Sequence, residues 1–185
     1  MTITRKLTAE QFARLPAYNH NREELIRGTL TVLDPGPGYT HGSVAARIGY
    51  LLLAFVTPRR LCAVVHRSGF VFERNPDTVC GPDLSFIDAS RLPLPEGIAY
   101  LDGAPDLAVE ILSPGNKKKD MAERIALFLR KGTRLMWVVD PKRRTVTVHR
   151  PESESFVLSI DDQLSGQDVL PGFECRVADF FDELR

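Results

Sequence analysis

The sequence has little cysteine and no long apolar run, and both shortages narrow the class of protein. Its three cysteines, among 185 residues, are far apart and form no CxxC pair, which argues against a disulfide framework or a zinc knuckle. The longest apolar run, residues 50–56, is far shorter than the roughly 18 residues that a membrane span needs. The first residues also lack the apolar segment of a signal peptide. We therefore expect a cytoplasmic protein with reduced thiols and no membrane association.

The sequence also lacks the motifs of several common enzyme classes. It contains no GxxxxGK[ST] phosphate-binding loop, no GxSxG nucleophile turn and no HExxH zinc motif. These absences argue against a P-loop nucleotide hydrolase, an α/β-hydrolase and a zinc protease of the HExxH type.

The sequence has no net charge, but its charges are unevenly distributed. Residues 115–150 contain 11 Lys or Arg against 3 Asp or Glu, whereas residues 151–185 contain 2 against 9. A basic segment is typical of proteins that bind an anionic substrate such as nucleic acid. The alternative is that the acidic segment folds back and neutralises the basic one.

The length of the chain suits one domain, which we expect to span residues 1–185. Apolar spacing predicts helices over residues 39–56 and 120–132, and a capping box at Thr8–Gln11 begins a shorter one. Hairpin and strand patterns, with a rigid loop at 34–38 and a final acidic helix at 177–184, complete the prediction. The strands are expected in a hairpin at 23–33 that turns at Arg27–Gly28, and at 61–65, 69–73, 84–87, 106–112, 135–139, 145–149 and 156–160. This order indicates an α/β domain with helices packed on a mixed sheet.

Glu110 lies in the middle of the apolar strand predicted for residues 106–112. Side chains alternate along a strand, so Glu110 and Leu112 share the face opposite the core. Asp83 precedes another predicted strand, and if the two strands pair, both carboxylates would lie at one end of the sheet. Two neighbouring carboxylates repel unless a cation lies between them. A small set of hard oxygen ligands favours Mg²⁺ or Mn²⁺.

Several segments together resemble a known family. They are ELIRG (24–28), His41 at the start of a helix, GPDLSFI (81–87), GAPDLAVEILSP (103–114) and LMWVVDP (135–141). This ordered series resembles the PD-(D/E)XK nucleases and, within them, the Uma-type family of “putative restriction endonucleases”. The resemblance covers residues 7–150 and leaves residues 151–185 as an acidic C-terminal extension. It implies a restriction-endonuclease-like α/β fold, with a central mixed β-sheet flanked by helices.

The resemblance also implies an activity, a cofactor and site residues. The implied activity is Mg²⁺-dependent hydrolysis of duplex DNA by a homodimer, with Mn²⁺ as the alternative metal. Asp83 and Glu110 would be the metal ligands, and Glu24 a further ligand or an orienting residue. His41 would hydrogen-bond to a metal-bound water or to a phosphate.

One residue departs from the pattern of the nuclease superfamily. Leu112 occupies the place where (D/E)XK nucleases carry a lysine, and the resemblance moves the cation to the following helix, where Arg124 stands. Arginine binds phosphate but does not act as a general base. Lys117, Lys118 and Lys119 are alternative cations and candidate DNA contacts. The departure also keeps open a catalytically decayed nuclease fold that binds nucleic acid or a protein.

Each candidate residue also has a purely structural interpretation. The acids would be a buried ion-pair partner (Glu110), a strand-starting turn residue (Asp83) and a solvated hairpin residue (Glu24). The others would be a core-edge side chain (His41), an i,i+4 partner of Asp120 (Arg124) and a solvated loop (Lys117–Lys119).

Overall fold

The order of helices and strands follows the sequence prediction closely. A computed structural model of the chain describes residues 6–16, 23–32, 38–59, 62–91, 97 and 99–181. Its α-helices are α1 (Ala9–Ala13), α2 (Tyr39–Val56) and α3 (Lys118–Arg130). Its strands are β1 (Glu23–Ile26), β2 (Thr29–Val32), β3 (Cys62–His66), β4 (Phe70–Glu73), β5 (Thr78–Cys80), β6 (Leu84–Asp88), β7 (Leu101–Asp102), β8 (Leu107–Ile111), β9 (Leu135–Asp140), β10 (Thr145–His149), β11 (Phe156–Leu158), β12 (Gln163–Ser165) and β13 (Glu174–Arg176).

The central sheet is mixed. In the described part of the chain it has six strands in the order β11-β10-β9-β8-β6-β3. Strands β8 and β9 are parallel and are joined by α3, whereas β6 pairs with β8 in antiparallel orientation. A parallel pair requires such a crossover connection. The pairing of β6 with β8 confirms that the strand after Asp83 lies beside the strand of Glu110.

One face of the central sheet carries the main core. The inward side chains of β8, Leu107, Val109 and Ile111, pack there against α2. Helix α2 has the bounds that its apolar spacing predicts, and Val44, Ile48 and Leu52 are fully buried along one side. The opposite face, which includes Ala108 of β8, packs against Phe128 of α3. Glu110 belongs to this second face because side chains alternate along the strand.

A smaller sheet lies next to α3 and presents the hairpin that carries Glu24. Its described strands have the order β2-β1-β5-β4-β7. The β1–β2 hairpin turns at Arg27 and Gly28, whose φ angles are 50° and 79°. Two successive positive φ values are the signature of a type I′ turn, which matches the twist of a hairpin. The capping box of Thr8 and Gln11 at α1 is also present.

Several boundaries differ from the prediction. Helix α3 begins at Lys118, so Lys118 and Lys119 lie in its first turn and Lys117 is the residue before it. Strands β5, β7, β12 and β13 were not predicted, because each is only 2 or 3 residues long. The final helix is a 3₁₀ turn at Val177–Phe180. Residues 33–37 of the predicted hairpin and rigid loop, and residues 182–184 of the predicted acidic helix, lie outside the described residues.

The C-terminal segment, described from the sequence as an acidic extension at residues 151–185, contributes side chains to the main core. Within the acidic segment, the apolar side chains Leu164, Leu170, Phe173, Phe180 and Phe181 are buried in the main core. The physical reason is that α2 alone does not cover this face of the sheet, and Trp137 of β9 packs against Phe173 and Phe180. The acidic segment also folds back on the basic one, since Asp168 pairs with Arg134 and Arg150.

Replacing Phe180 with alanine tests this role of the C-terminal segment. Phe180 is 1% exposed, so we expect the substitution to lower the free energy of unfolding by about 3–5 kcal/mol. Urea unfolding measures the loss. Phe156, which is 45% exposed on the edge strand β11, is the matched control, and Phe156→Ala should change stability far less. Equal effects of the two substitutions would contradict the assignment of this segment to the core.

None of the helices in the described ranges combines the length and the apolarity that crossing a membrane requires.

Candidate active site

Asp83 and Glu110 lie beside each other on neighbouring strands. The register of β6 and β8 pairs Leu84 with Val109, and one further step along both strands brings Asp83 opposite Glu110. Opposed residues of an antiparallel pair point to the same face, with Cβ atoms about 5 Å apart. Both carboxylates are buried, at 1% and 2% exposure, and both line the same cleft.

Asp83 is held from two sides. Its Oδ2 atom accepts a hydrogen bond from the backbone N–H of Ile111 at 2.9 Å. The Nε2 atom of His41, in the first turn of α2, lies 3.1 Å from the same oxygen. A carboxylate only accepts, so Nε2 carries the hydrogen of this bond. His41 is therefore more than a core-edge side chain: it joins the start of α2 to Asp83.

Glu110 and Glu24 share one cation, Arg124 of α3. The Nε atom of Arg124 donates to Glu110 Oε1 at 2.6 Å, and its Nη1 and Nη2 atoms donate to the two oxygens of Glu24 at 2.8 and 2.9 Å. A fourth bond runs from Nη2 to the carbonyl of Gly81 at 2.8 Å. The guanidinium thus connects α3 to β8, to β1 and to the segment before β6.

The electrostatics of this cluster keep Arg124 charged. Burial opposes its positive charge, but the carboxylates of Glu110 and Glu24 outweigh burial and raise the pKa of Arg124 above its ordinary value. The guanidinium also lies 5.0 Å from the ring centre of Phe128, a favourable cation–π distance. Arg124 therefore binds the two acids as a permanent cation, which goes beyond the i,i+4 pairing with Asp120 in its structural interpretation.

Glu24 is buried, so the structural interpretation of it as a solvated hairpin acid does not hold. Its side chain is 3% exposed, and its Oε1 atom also accepts a hydrogen bond from the backbone N–H of Gly81 at 3.0 Å. The tight β1–β2 turn places β1 beside β5, through the pair Leu25–Val79. This pairing brings Glu24 to Gly81, two residues before Asp83.

The cleft above these residues has a volume of about 620 Å³. Among the described residues that line it are five acids (Glu24, Asp83, Glu110, Asp120 and Glu123) and three Lys or Arg (Arg67, Lys117 and Arg124). Counting His41 as neutral, this lining has a net charge of −2. Lys117 thus reaches the cleft, whereas Lys119 forms an exposed pair with Glu123 of α3.

Arg67 is a basic cleft residue that the sequence did not reveal. It lies in the bend between β3 and β4, and its Nε atom is 4.0 Å from Asp83 Oδ1. No motif marks it, because a single arginine between two short strands is unremarkable in a chain with 18 arginines.

Leu112 lies on the face of the sheet that the sequence predicted, and it packs with the apolar cluster of Ala108, Phe128 and Met136.

In the described part of the chain, the cleft offers the neighbouring carboxylates of Asp83 and Glu110 as ligands for a metal. No group of three or more His, Cys, Asp and Glu in the described ranges is arranged to hold a metal ion. Mg²⁺ is usually bound by only one or two carboxylates, with waters and substrate phosphate completing its shell. Each carboxylate has about four lone-pair sites, so the bond from Arg124 does not exhaust the capacity of Glu110. The donor set of Asp83 and Glu110 therefore fits Mg²⁺.

Comparisons with known proteins identify the family and the fold of the chain. The sequence profile of the Uma2 family, described as “Putative restriction endonuclease”, matches residues 9–178. A crystal structure of “a putative nuclease belonging to DUF820 from Anabaena variabilis ATCC 29413” is 26% identical, with a TM-score of 0.83 over 97% of this chain and 99% of that one. No functionally curated protein shows significant similarity. The fold is thus that of a restriction-endonuclease-like protein, and the comparisons support a nuclease role.

Proposed function

Because the chain belongs to the Uma2 family, described as “Putative restriction endonuclease”, we propose that it is a Mg²⁺-dependent endonuclease that hydrolyses phosphodiester bonds in DNA. The observation that carries this proposal is the pair of buried carboxylates, Asp83 and Glu110, side by side at the floor of an open cleft. Both acids also line the cleft, and two carboxylates on adjacent strands can share one cation.

The charge of the cleft supports the requirement for a metal. The described lining has a net charge of −2, which repels the phosphate backbone of DNA. One divalent cation at Asp83 and Glu110 offsets this charge. Mg²⁺, when bound, polarises a phosphate and lowers the pKa of a coordinated water.

The chain's own residues have separate roles in this proposal. Asp83 and Glu110 hold the metal, and the bond from His41 Nε2 orients Asp83. The Nδ1 atom of His41 is buried and has no hydrogen-bond partner among the described residues. Arg124 fixes Glu110 and Glu24 in one arrangement, so it acts as a positioning residue.

The DNA substrate and the oligomeric state belong to the same proposal. Lys117 lines the cleft and Lys118 and Lys119 begin α3 next to it, so these lysines can contact the phosphates of a bound duplex. Cleavage of both strands usually uses two active sites, which a homodimer supplies. Light scattering of the purified protein, with and without duplex DNA, tests the dimer.

Nicking of supercoiled plasmid tests the proposed activity. The wild-type protein is expected to convert supercoiled plasmid to the open circle with Mg²⁺ and not with EDTA. Asp83→Asn should lose this activity, because asparagine keeps the size and an acceptor oxygen but has no negative charge for the metal. Activity that persists in EDTA, or in the folded Asp83→Asn variant, would contradict the proposal.

A second candidate function is supported by Leu112 and Arg124. An apolar residue occupies the usual lysine position, and Arg124 donates four hydrogen bonds within the protein. Both features fit a nuclease fold that binds nucleic acid or a protein without cleaving it. Calorimetric titration with Mg²⁺ or Mn²⁺ separates the two functions. A heat of metal binding to wild type that is absent in Asp83→Asn supports the nuclease. DNA binding without metal binding or nicking supports the second candidate.

A further inference from the structure

We propose that Arg67 is the side chain that binds the phosphate at the cleavage site, whereas Arg124 holds the carboxylates in place. This inference rests on the proposed function, since it assigns the substrate contact within the same cleft. It also differs from the expectation raised by the sequence, in which Arg124 supplied the cation for the substrate.

Arg124 already uses most of its hydrogen-bond donors within the protein. A guanidinium has five N–H donors, and Arg124 uses four hydrogen bonds to bind Glu110, Glu24 and the carbonyl of Gly81. Its single positive charge lies between two carboxylates. The cluster of these three side chains is therefore negative overall, and it does not attract a phosphate.

Arg67 has the opposite character. Among the described residues, its guanidinium has one acidic neighbour, Asp83, at 4.0 Å from Nε to Oδ1, which is too long for a hydrogen bond. Its side chain is 32% exposed and lines the cleft. The planar guanidinium has donors available for a phosphate, which arginine binds in bidentate fashion.

The backbone fixes Arg67 beside Asp83. Arg67 has a φ of 50°, a backbone conformation that is uncommon for residues other than Gly, Asn or Asp. Its N–H donates to the backbone carbonyl of Asp83 at 3.1 Å. Here the conformation keeps the guanidinium next to the residue that we propose as a metal ligand.

A second cavity places Arg67 on the path of the substrate. It has a volume of about 250 Å³, and its lining shares Glu24 and Arg67 with the main cleft. Phe12 and Tyr100, which stack at 5.6 Å, form part of its wall. A phosphodiester chain that runs from one cavity into the other passes Arg67, and the second cavity can receive the neighbouring nucleotide.

The test compares two glycine substitutions at arginines with the same backbone conformation. Arg67→Gly removes the side chain and retains the positive φ, which glycine adopts without strain. Arg27→Gly is the matched control, because Arg27 also has a φ of 50°, is exposed, and is not among the cleft residues. Fluorescence anisotropy with a labelled duplex oligodeoxynucleotide is measured in Ca²⁺, a cation that also takes carboxylate oxygens but is a weaker Lewis acid than Mg²⁺, so that binding is separated from cleavage. A second oligonucleotide carries uncharged methylphosphonate linkages at its centre.

Arg67→Gly is expected to weaken binding of the normal oligonucleotide about 10- to 150-fold, the range for a charged hydrogen bond. It should also reduce the slope of log affinity against log salt by about 0.9, the value for one phosphate contact on duplex DNA. Arg27→Gly should change neither, and the methylphosphonate oligonucleotide should bind to wild type and to Arg67→Gly equally. Arg67→Lys should restore the salt slope and part of the affinity.

Other results overturn the proposal. The proposal is overturned if Arg67→Gly and Arg27→Gly bind the normal oligonucleotide with equal affinity. It is also overturned if Arg67→Gly loses as much affinity for the methylphosphonate oligonucleotide as for the normal one, or if the wild-type protein has no measurable affinity. Failure of the nuclease function has a different signature. In that case the oligonucleotide binds in an Arg67-dependent way, but the protein does not nick supercoiled plasmid in Mg²⁺.

Discussion

Glu110→Gln is expected to reduce Mg²⁺-dependent nicking of plasmid DNA by at least about 100-fold, the loss typical when a group that stabilises transition-state charge is removed. The substitution keeps the size of the side chain and an oxygen that accepts the hydrogen bond from Arg124 Nε. It removes the negative charge that would bind the metal. The expected result is a folded protein with a melting temperature close to that of wild type and with little activity.

Glu110→Ala provides the comparison that separates catalysis from stability. Alanine removes both the metal ligand and the partner of a buried arginine, so this variant should lose activity and also unfold more easily. If Glu110→Gln is folded and nicks plasmid at the wild-type rate, Glu110 is not a metal ligand. Its role would then be the structural ion pair with Arg124.

Arg124→Met is expected to lower the free energy of unfolding by about 3–5 kcal/mol. The substitution preserves much of the apolar contact with Phe128. However, it leaves Glu24 and Glu110, at 3% and 2% exposure, as two buried carboxylates without their shared cation. Removing one partner of a buried ion pair costs more than the pair contributes, because the remaining charge stays uncompensated.

Urea unfolding measures this loss, and Arg130→Met is the matched control. Arg130 is exposed in the last turn of the same helix, so its substitution should change the free energy by less than about 0.5 kcal/mol. Arg124→Lys should fall between the two, because lysine keeps the charge and loses the bidentate bond to Glu24. A loss below about 1 kcal/mol in Arg124→Met would contradict a central structural role for this cluster.

The elements predicted most accurately from the sequence depend on local patterns. The bounds of α2 follow from a continuous apolar spacing. The β1–β2 turn follows from the pair Arg27–Gly28, both of which have the positive φ of a type I′ turn. The alternation around Glu110 also predicts the face of β8 on which it lies. Such features are fixed by residues close together in the chain, so one sequence is enough to predict them.

The features that sequence reasoning missed depend on contacts between distant segments. Arg124 bonds to Glu24 across 100 positions, and no local pattern specifies such a partner. Arg67 reaches Asp83 only because β3 and β6 are paired, with His66 opposite Leu84. The C-terminal segment joins the core because a face of the central sheet needs cover, and its high acidic content conceals its scattered apolar residues.

The most direct test of the central claim is a crystal structure of the protein soaked in Mn²⁺, with anomalous diffraction to locate the ion. The account predicts one Mn²⁺ bound to both Asp83 and Glu110, at about 2.1 Å from a carboxylate oxygen of each, and loss of this ion in Asp83→Asn. A saturating soak that leaves the two carboxylates without an ion, with Arg124 still bonded to Glu110, would contradict it.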